Sequence, residues 1–350
     1  LREPFIPVRK SDEEESVASF ARRRIGREAA ERMVAPFVSG IYAGDADKLS
    51  VQAAFPRLSN LEMSYGGLFR GTFAKAREAR KAKKAARDVL DKAAPTRRRL
   101  ISFKDGMSVL PQTIAARLGE DVFTGCKDIR ARAGVEGNGF EVEFERGGAG
   151  ERFSCGQLVI ATPARPAAAL VSPFNDELSR LLDEIYYPPL SIVCLSYDVA
   201  AVSRPLDGFG FLVAPGEPLS ILGCVWNSSL FKGRAPAGKA LLTVFIGGAR
   251  MPDLARVGDA ELVSTAHGDL QKVLGISQEA RPVSITRWER AIPQYLIGHR
   301  ARVRRIEEIL HGTGGLRLIG NYLHGVSTGD CVKEADRHAR EIWDSLSPGP

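Results

Sequence analysis

Apolar residues fall at helical spacing through the first part of the chain and at strand spacing through the middle. Val17, Phe20, Ala21 and Ile25 lie on one helix face, which predicts a helix buried on that side. Ser11-Asp12-Glu13-Glu14 ahead of them offers a cap followed by acids, favourable at a helix start. A second helix is expected over Arg27 to Ala35, ended by Pro36 and Gly40. Leu58, Leu61, Tyr65 and Leu68 predict another, stopped at Gly66-Gly67 or Gly71.

From Gly106 the pattern changes. Gly106 to Pro111 leads into a helix with Ile114, Ala115 and Leu118 on one face. Phe140 to Glu145 alternates with period two, the mark of a half-buried strand, and Gln157 to Ala161 is a short apolar run that reads as a buried one. Strands are expected over Ser191 to Val199, Phe209 to Val213, Leu219 to Trp226 and Ala240 to Gly247. Helices are expected over Asp176 to Ile185 and Asp259 to Leu274. The chain closes on a strand, Leu316 to Gly320, and a helix, Asp330 to Leu346. No internal repeat is visible. Strands and helices in this order imply a mixed α/β and α+β fold with two intertwined domains.

Composition changes this picture little, and charge changes it in one place. The 350 residues are 44% hydrophobic and 26% charged, as in ordinary globular proteins. No run reaches the ~18 uncharged apolar residues of a membrane helix. Leu1-Arg2-Glu3-Pro4 has no apolar leader and no Met, so the sequence is expected to be a truncated piece of a longer protein. The five cysteines are far apart, without metal-ligand spacing; reduced, buried thiols and no metal are expected. The net charge of +7 comes from Thr72 to Arg99, where eleven Lys and Arg stand against three acids. A solvated basic helix or loop explains that segment most simply. A patch for an anionic membrane surface or an acidic substrate is the functional alternative. No nucleic acid is expected, because only Phe73 interleaves the charges and no stacking platform results.

Three stretches could carry chemistry. Leu318 to Cys331 reads as a strand, a glycine-punctuated loop and a helix start. The unpaired amides and positive pole of a helix start suit an anion. His324 lies in that loop and could act as a base, although a lone loop histidine is usually solvated. Leu158 to Ala164 is a buried strand ending in a small residue, a hydroxyl and a proline; ligands gather at such strand ends. Ile292-Pro293-Gln294-Tyr295 with Gly298-His299 is, alone, only a turn.

Taken together, these blocks resemble the oxygen-dependent protoporphyrinogen/coproporphyrinogen oxidases of the monoamine oxidase-like flavoprotein group. The resemblance runs from end to end: Ser19 to Gly26, Val38 to Asp45, Ala54 to Leu58, Gly208 to Val213, Ile292 to His299 and Gly320 to Cys331, in the family's order. It implies non-covalent FAD and oxidation of a porphyrinogen to the conjugated porphyrin in haem synthesis. Hydride would pass to the flavin ring and O₂ would reoxidise it. Carried over residue by residue, cofactor contacts fall on Cys126, Ala161, Thr162, Gly320, Asn321, Val326, Ser327 and Thr328. Tetrapyrrole contacts fall on Phe37, Gly40, Phe209, Gly210, Leu212, Val225 and Phe245. No catalytic side chain is assigned.

The implied fold is a partial, Rossmann-like FAD-binding domain with an intertwined β-sheet substrate domain and a helical, membrane-associated region. Its expected boundaries are a helical region over 1–99, FAD-binding segments over 100–165 and 291–350, and a substrate sheet over 166–290. The expected setting is cytoplasmic, peripheral on the inner membrane, with a homodimer left open. Departures matter. The family's opening G-x-G-x-x-G loop and the acid that binds the ribose have no counterpart here, and Arg300 stands where the family often has Trp. FAD binding is therefore expected to be weak. Competing readings are an amine or polyene oxidase of the same group, or a non-catalytic module on anionic membranes.

Overall fold

The computed structural model describes residues 3–11, 13–87, 101–134 and 139–346, with backbone alone over 82–87. The chain forms two compact units, each from two stretches: Leu1–Met107 with Pro188–Ala291, and Ser108–Tyr187 with Ile292–Pro350.

The first unit opens with helices α1 (Val17–Ile25), α2 (Arg27–Ala29), α3 (Ala35–Tyr42), α4 (Val51–Ala54), α5 (Pro56–Tyr65) and α6 (Leu68–Arg87). The cap of α1 is Ser16 and not Ser11; its Oγ accepts the Ser19 N–H at 3.1 Å. Nor does Pro36 end a helix. A single π-turn, Ala30–Val34, runs straight into α3, where Pro36 falls in the first turn. Its missing N–H removes one bond from a helical run that is continuous from Arg27 to Tyr42, and the π-turn lies directly ahead of it.

The arginines after Phe20 tie these helices together. Arg24 is fully buried, 3.6 Å from Glu3 and 3.3 Å from Glu62, and donates to the carbonyls of Ile6 and Gly66. Arg23 reaches Glu15 and Glu62, each at 2.7 Å. Burial pushes both carboxyls up, but the hydrogen bonds and charge of Arg23 outweigh it and hold them below the usual carboxylate range. Glu3 accepts the N–H groups of Leu68 and Phe69 at 2.7 and 3.1 Å. A buried carboxylate thus caps the basic helix α6, a favourable charge at a positive pole. The basic segment beyond Arg87 lies outside the described residues.

The chain then enters the second unit with α7 (Val109–Leu118), β1 (Lys127–Ala133), β2 (Phe140–Arg146), β3 (Ala149–Cys155), β4 (Leu158–Ile160), α8 (Ala164–Val171) and α9 (Asp176–Asp183). It returns to the first for β5 (Leu190–Asp198), β6 (Gly210–Leu212), β7 (Ile221–Trp226), α10 (Asn227–Leu230), β8 (Lys239–Gly247), α11 (Asp259–Leu274) and β9 (Arg281–Trp288). It ends in the second with α12 (His299–His311), β10 (Leu316–Leu318) and α13 (Thr328–Leu346).

Strands β5 to β9 make one antiparallel sheet in the order β6-β7-β8-β5-β9. Alternation sorts its two faces. Val193, Leu195 and Tyr197 of β5 and Leu242, Val244 and Ile246 of β8 pack with Leu262, Ala266 and Leu270 of α11. Gly210 is required at the start of β6. Its φ is +146°, and a Cβ there would collide with the Cys224 carbonyl across the ladder.

In the second unit β10 pairs with β4 in parallel, Leu316 opposite Leu158 and Leu318 opposite Ile160. Ala164, Val171, Leu178, Leu182, Ile306 and Tyr322 complete the core around this pair. All five thiols are free, but only Cys224 is buried; the other four are partly buried. Among the described residues no helix is long and apolar enough to cross a membrane.

Candidate functional site

The parallel pairing of β4 and β10 brings four of the proposed cofactor residues to one place. Ala161 and Thr162 follow β4, and Gly320 and Asn321 follow β10 just beyond the Ile319 N–H bond to Ile160. Ala164 starts α8 directly after Thr162 and Pro163, and its N–H donates to the Tyr187 hydroxyl at 3.2 Å. Thr162 Oγ1 is buried and lacks a partner among the described residues. A buried hydroxyl without a partner is costly, so a ligand at this strand end would satisfy it. Cys126 joins the group only indirectly: it precedes β1, and β1 packs on α8.

Val326, Ser327 and Thr328 sit where the loop after β10 becomes α13. Ser327 is the cap. Its Oγ accepts the Asp330 N–H at 3.1 Å and donates to Asp330 Oδ2 at 2.6 Å. The Ser327 hydroxyl is therefore engaged within the protein. What this turn offers a ligand is backbone amide at the start of a long helix whose positive end already faces the Asp330 carboxylate. Gly320 is needed for another reason: a Cβ there would lie 2.5 Å from the ring of Tyr322, which fills the core below. The donors at these strand ends are amides and hydroxyls without ionisable side chains, a set that fits the anionic and hydroxylated parts of a flavin dinucleotide.

His324 does not stand free in the loop. Its Nε2 lies 2.9 Å from Glu307 Oε1 of α12. The turn Ile292 to His299, which reads as mere connection in sequence, contacts this loop directly. Tyr295 donates its hydroxyl to the Asn321 carbonyl at 2.7 Å, and His299 Nε2 lies 3.4 Å from the Leu323 carbonyl. The two rings stack, centroids 4.1 Å apart and 11° from parallel. Burial pushes the His299 pKa down to about 4, although its bond to Leu323 pulls the other way, so the ring is neutral. Periodicity had no means of finding these two residues. Their one signal was the Gln-Tyr-x-x-Gly-His spacing itself.

The seven positions that the resemblance assigns to a tetrapyrrole lie in the first unit. Register puts four of them on the sheet face turned away from α11. Gly210 stands opposite Val225, and Phe245 opposite Gly223 and Ile192. Their chain neighbours Phe211, Cys224 and Val244 take the other face. Leu212 follows Phe211 and so shares the first. Helix α3 lies against β6 and β7, with Gly40 so close to Leu212 that a Cβ would be 2.6 Å from Cδ2. Phe37, Phe209 and Leu212 are 50%, 57% and 47% exposed. Clustered exposed apolar side chains mark a surface for a ligand or partner. None of these seven positions carries a charge.

A family profile described as flavin containing amine oxidoreductase matches residues 3–343. Protoporphyrinogen oxidase 1, chloroplastic, of Arabidopsis thaliana is 35% identical over 95% of the chain and 64% of its own length. Coproporphyrinogen III oxidase of Bacillus subtilis is 26% identical over 98% of the chain and 70% of its own length. The chain thus spans less than two thirds of the chloroplast relatives it matches, 64% and 62% for those of Arabidopsis and Nicotiana tabacum. A crystal structure from Exiguobacterium sp. 255-15 superposes with a TM-score of 0.75 at 23% identity, covering 95% of this chain and 68% of that one. A putrescine oxidase structure superposes with a TM-score of 0.64 at 14% identity, covering 95% and 68%. At these identities the two structures speak for the fold.

Proposed function

Since the chain belongs to the flavin-containing amine oxidoreductase family, we propose that it serves FAD-dependent oxidation of a porphyrinogen, protoporphyrinogen IX or coproporphyrinogen III, to the porphyrin, with O₂ as acceptor. The observation that carries this is the uncharged sheet face of Gly210, Leu212, Val225 and Phe245 under α3. A broad, largely apolar macrocycle suits such a wall, where glycines give clearance and aromatic rings give contact area. The names of the relatives agree.

FAD, when bound, supplies the hydride acceptor. Thr162 and the backbone at Gly320 and Asn321 would hold it, and backbone amides at the start of α13 would add hydrogen-bond donors. The apolar wall would bind the macrocycle and exclude water. With no ionisable group at the seven wall positions, proton release from substrate is left to solvent or to groups outside that wall.

The test is direct. The protein is supplied with FAD, then with each porphyrinogen, and porphyrin fluorescence and peroxide are followed with and without O₂. Yellow protein and O₂-dependent porphyrin are expected. Protein that stays colourless in excess FAD, or that turns over amines and no porphyrinogen, would overturn the reading. We extend the proposal to a peripheral site on an anionic, cytoplasm-facing membrane, with α6 as the contact. The support is Arg70, Lys75, Arg77, Arg80 and Lys81 on that helix, with Phe69 and Phe73 exposed. Vesicle binding should weaken as salt rises.

A further inference from the structure

We propose that Tyr295 and His299 are positioning residues that set the shape of the loop Gly320 to Ser327 by holding two of its carbonyls from behind. The proposal rests on the flavin reading of that loop and adds the part of the machinery that never touches the flavin.

The loop does little to hold itself. Its own turn bond, Leu323 N–H to the Gly320 carbonyl, is long at 3.4 Å. Short bonds at the Ser327 carbonyl fix its far end on α13, but between Gly320 and Val326 the short bond to its backbone comes from outside, from the Tyr295 hydroxyl to Asn321 at 2.7 Å. His299 Nε2 faces the Leu323 carbonyl two residues on. A carbonyl can only accept, so for this bond His299 must carry its proton on Nε2, which is one of the two tautomers open to a neutral ring. Burial keeps the ring neutral. A trans peptide points its N–H opposite to its C=O. With the Asn321 and Leu323 carbonyls turned toward the two rings, the N–H groups of Tyr322 and His324 are turned away from them.

The support is itself rigid. Tyr295 and His299 are 1% and 2% exposed and stacked on one another. His299 is the first residue of α12, and that helix is anchored through Val303 and Ile306 in the core of its unit. Ring packing alone would need neither a hydroxyl on Tyr295 nor an Nε2 proton on His299. Those polar atoms separate a positioning role from a filling one.

The experiment is amide hydrogen exchange of the chain without cofactor, on Tyr295→Phe, His299→Leu and His299→Gln. Tyr295→Phe keeps the ring and removes one neutral hydrogen bond, so exchange over 320–327 should rise about fivefold, the equivalent of ~1 kcal/mol. His299→Leu should do the same, and His299→Gln, which keeps a donor at similar reach, should return it to within about twofold of the parent. Amides of β5 and β8 serve as the unchanged reference. Nitrogen chemical shifts of His299 should report a neutral ring with the proton on Nε2. In FAD titrations followed by flavin fluorescence, the same variants should rank in the same order.

Unchanged exchange over 320–327 in Tyr295→Phe, or a proton on Nδ1 of His299, overturns the proposal. Should His299→Leu fail to fold, Tyr295→Phe decides alone. A loop loosened by Tyr295→Phe in a chain that takes up no FAD supports the clamp and sinks the flavin reading instead.

Discussion

The two candidate sites, one in each unit, are made of different material. On the five-stranded sheet the candidate residues are side chains, delivered to one face because alternate residues of a strand point to opposite sides. At the ends of β4 and β10 they are mostly backbone groups and one hydroxyl, and the side chains that shape them come from α12 and the turn before it. A side-chain site is sensitive to what is placed on the wall. A backbone site is sensitive to what stands behind the loop.

The largest test of that contrast lies within the sheet. Leu242 is fully buried against α11, and Leu242→Ala should cost about 3 kcal/mol in urea unfolding. Leu212 lies on the opposite face, half in solvent, and Leu212→Ala should cost less than about 1 kcal/mol while weakening substrate affinity. Equal stability losses would mean that the outer face is core and not a wall.

Acid should sharpen the other side of the comparison. Folded His299 titrates at about 4, against 6.5 unexposed to burial, so the unfolded chain binds its proton first. Stability from this group is complete above pH 6.5 and declines as the pH falls toward 4, by at most ~3 kcal/mol. His299→Gln should flatten that decline in the second unit. Glu15 and Glu62 are held below their ordinary values, so their contribution to the first unit is also present at neutral pH and lost on acidification. Exchange measured for each unit between pH 7 and 4 would separate the two; a decline that persists in His299→Gln would assign it elsewhere.

A smaller effect is expected from the glycines of the loop and of the first turn of α13. Gly320→Ala drives a Cβ against the Tyr322 ring and should destabilise the second unit by about 2 kcal/mol. Gly329→Ala meets nothing closer than Ser327 Oγ at 3.8 Å and should be close to neutral. A neutral Gly320→Ala would show that the loop has slack to give.

Much of the fold was legible where burial and period agree. Strands β2, β5, β7 and β8 and helices α9 and α11 have apolar residues at the spacing of their own geometry, whereas α13 has the spacing but no buried residue. Strands β1, β3 and β9 do not: Lys127–Ala133, Ala149–Cys155 and Arg281–Trp288 are exposed along most of their length. They are strands because a neighbour offers a hydrogen-bond ladder, and no periodicity records that. Pro36 misled because a proline in a helix interior usually stops it, whereas here the run from Arg27 to Tyr42 continues through it with a π-turn directly ahead. The arginine block Arg22 to Arg24 carried family resemblance without revealing its use, which is to join carboxylates contributed by Glu3, Glu15, Asp47 and Glu62.

By itself the amino-acid order determined which faces would be apolar, where glycine would punctuate and which family the blocks resemble. Those properties are local: each follows from a residue and its near neighbours. Which strand end lies beside which, which carbonyl Tyr295 reaches and which helix Glu3 caps were decided only by tertiary structure. Such contacts join residues tens to more than a hundred positions apart, and a hydrogen bond depends on distance in space, which the order of residues does not state.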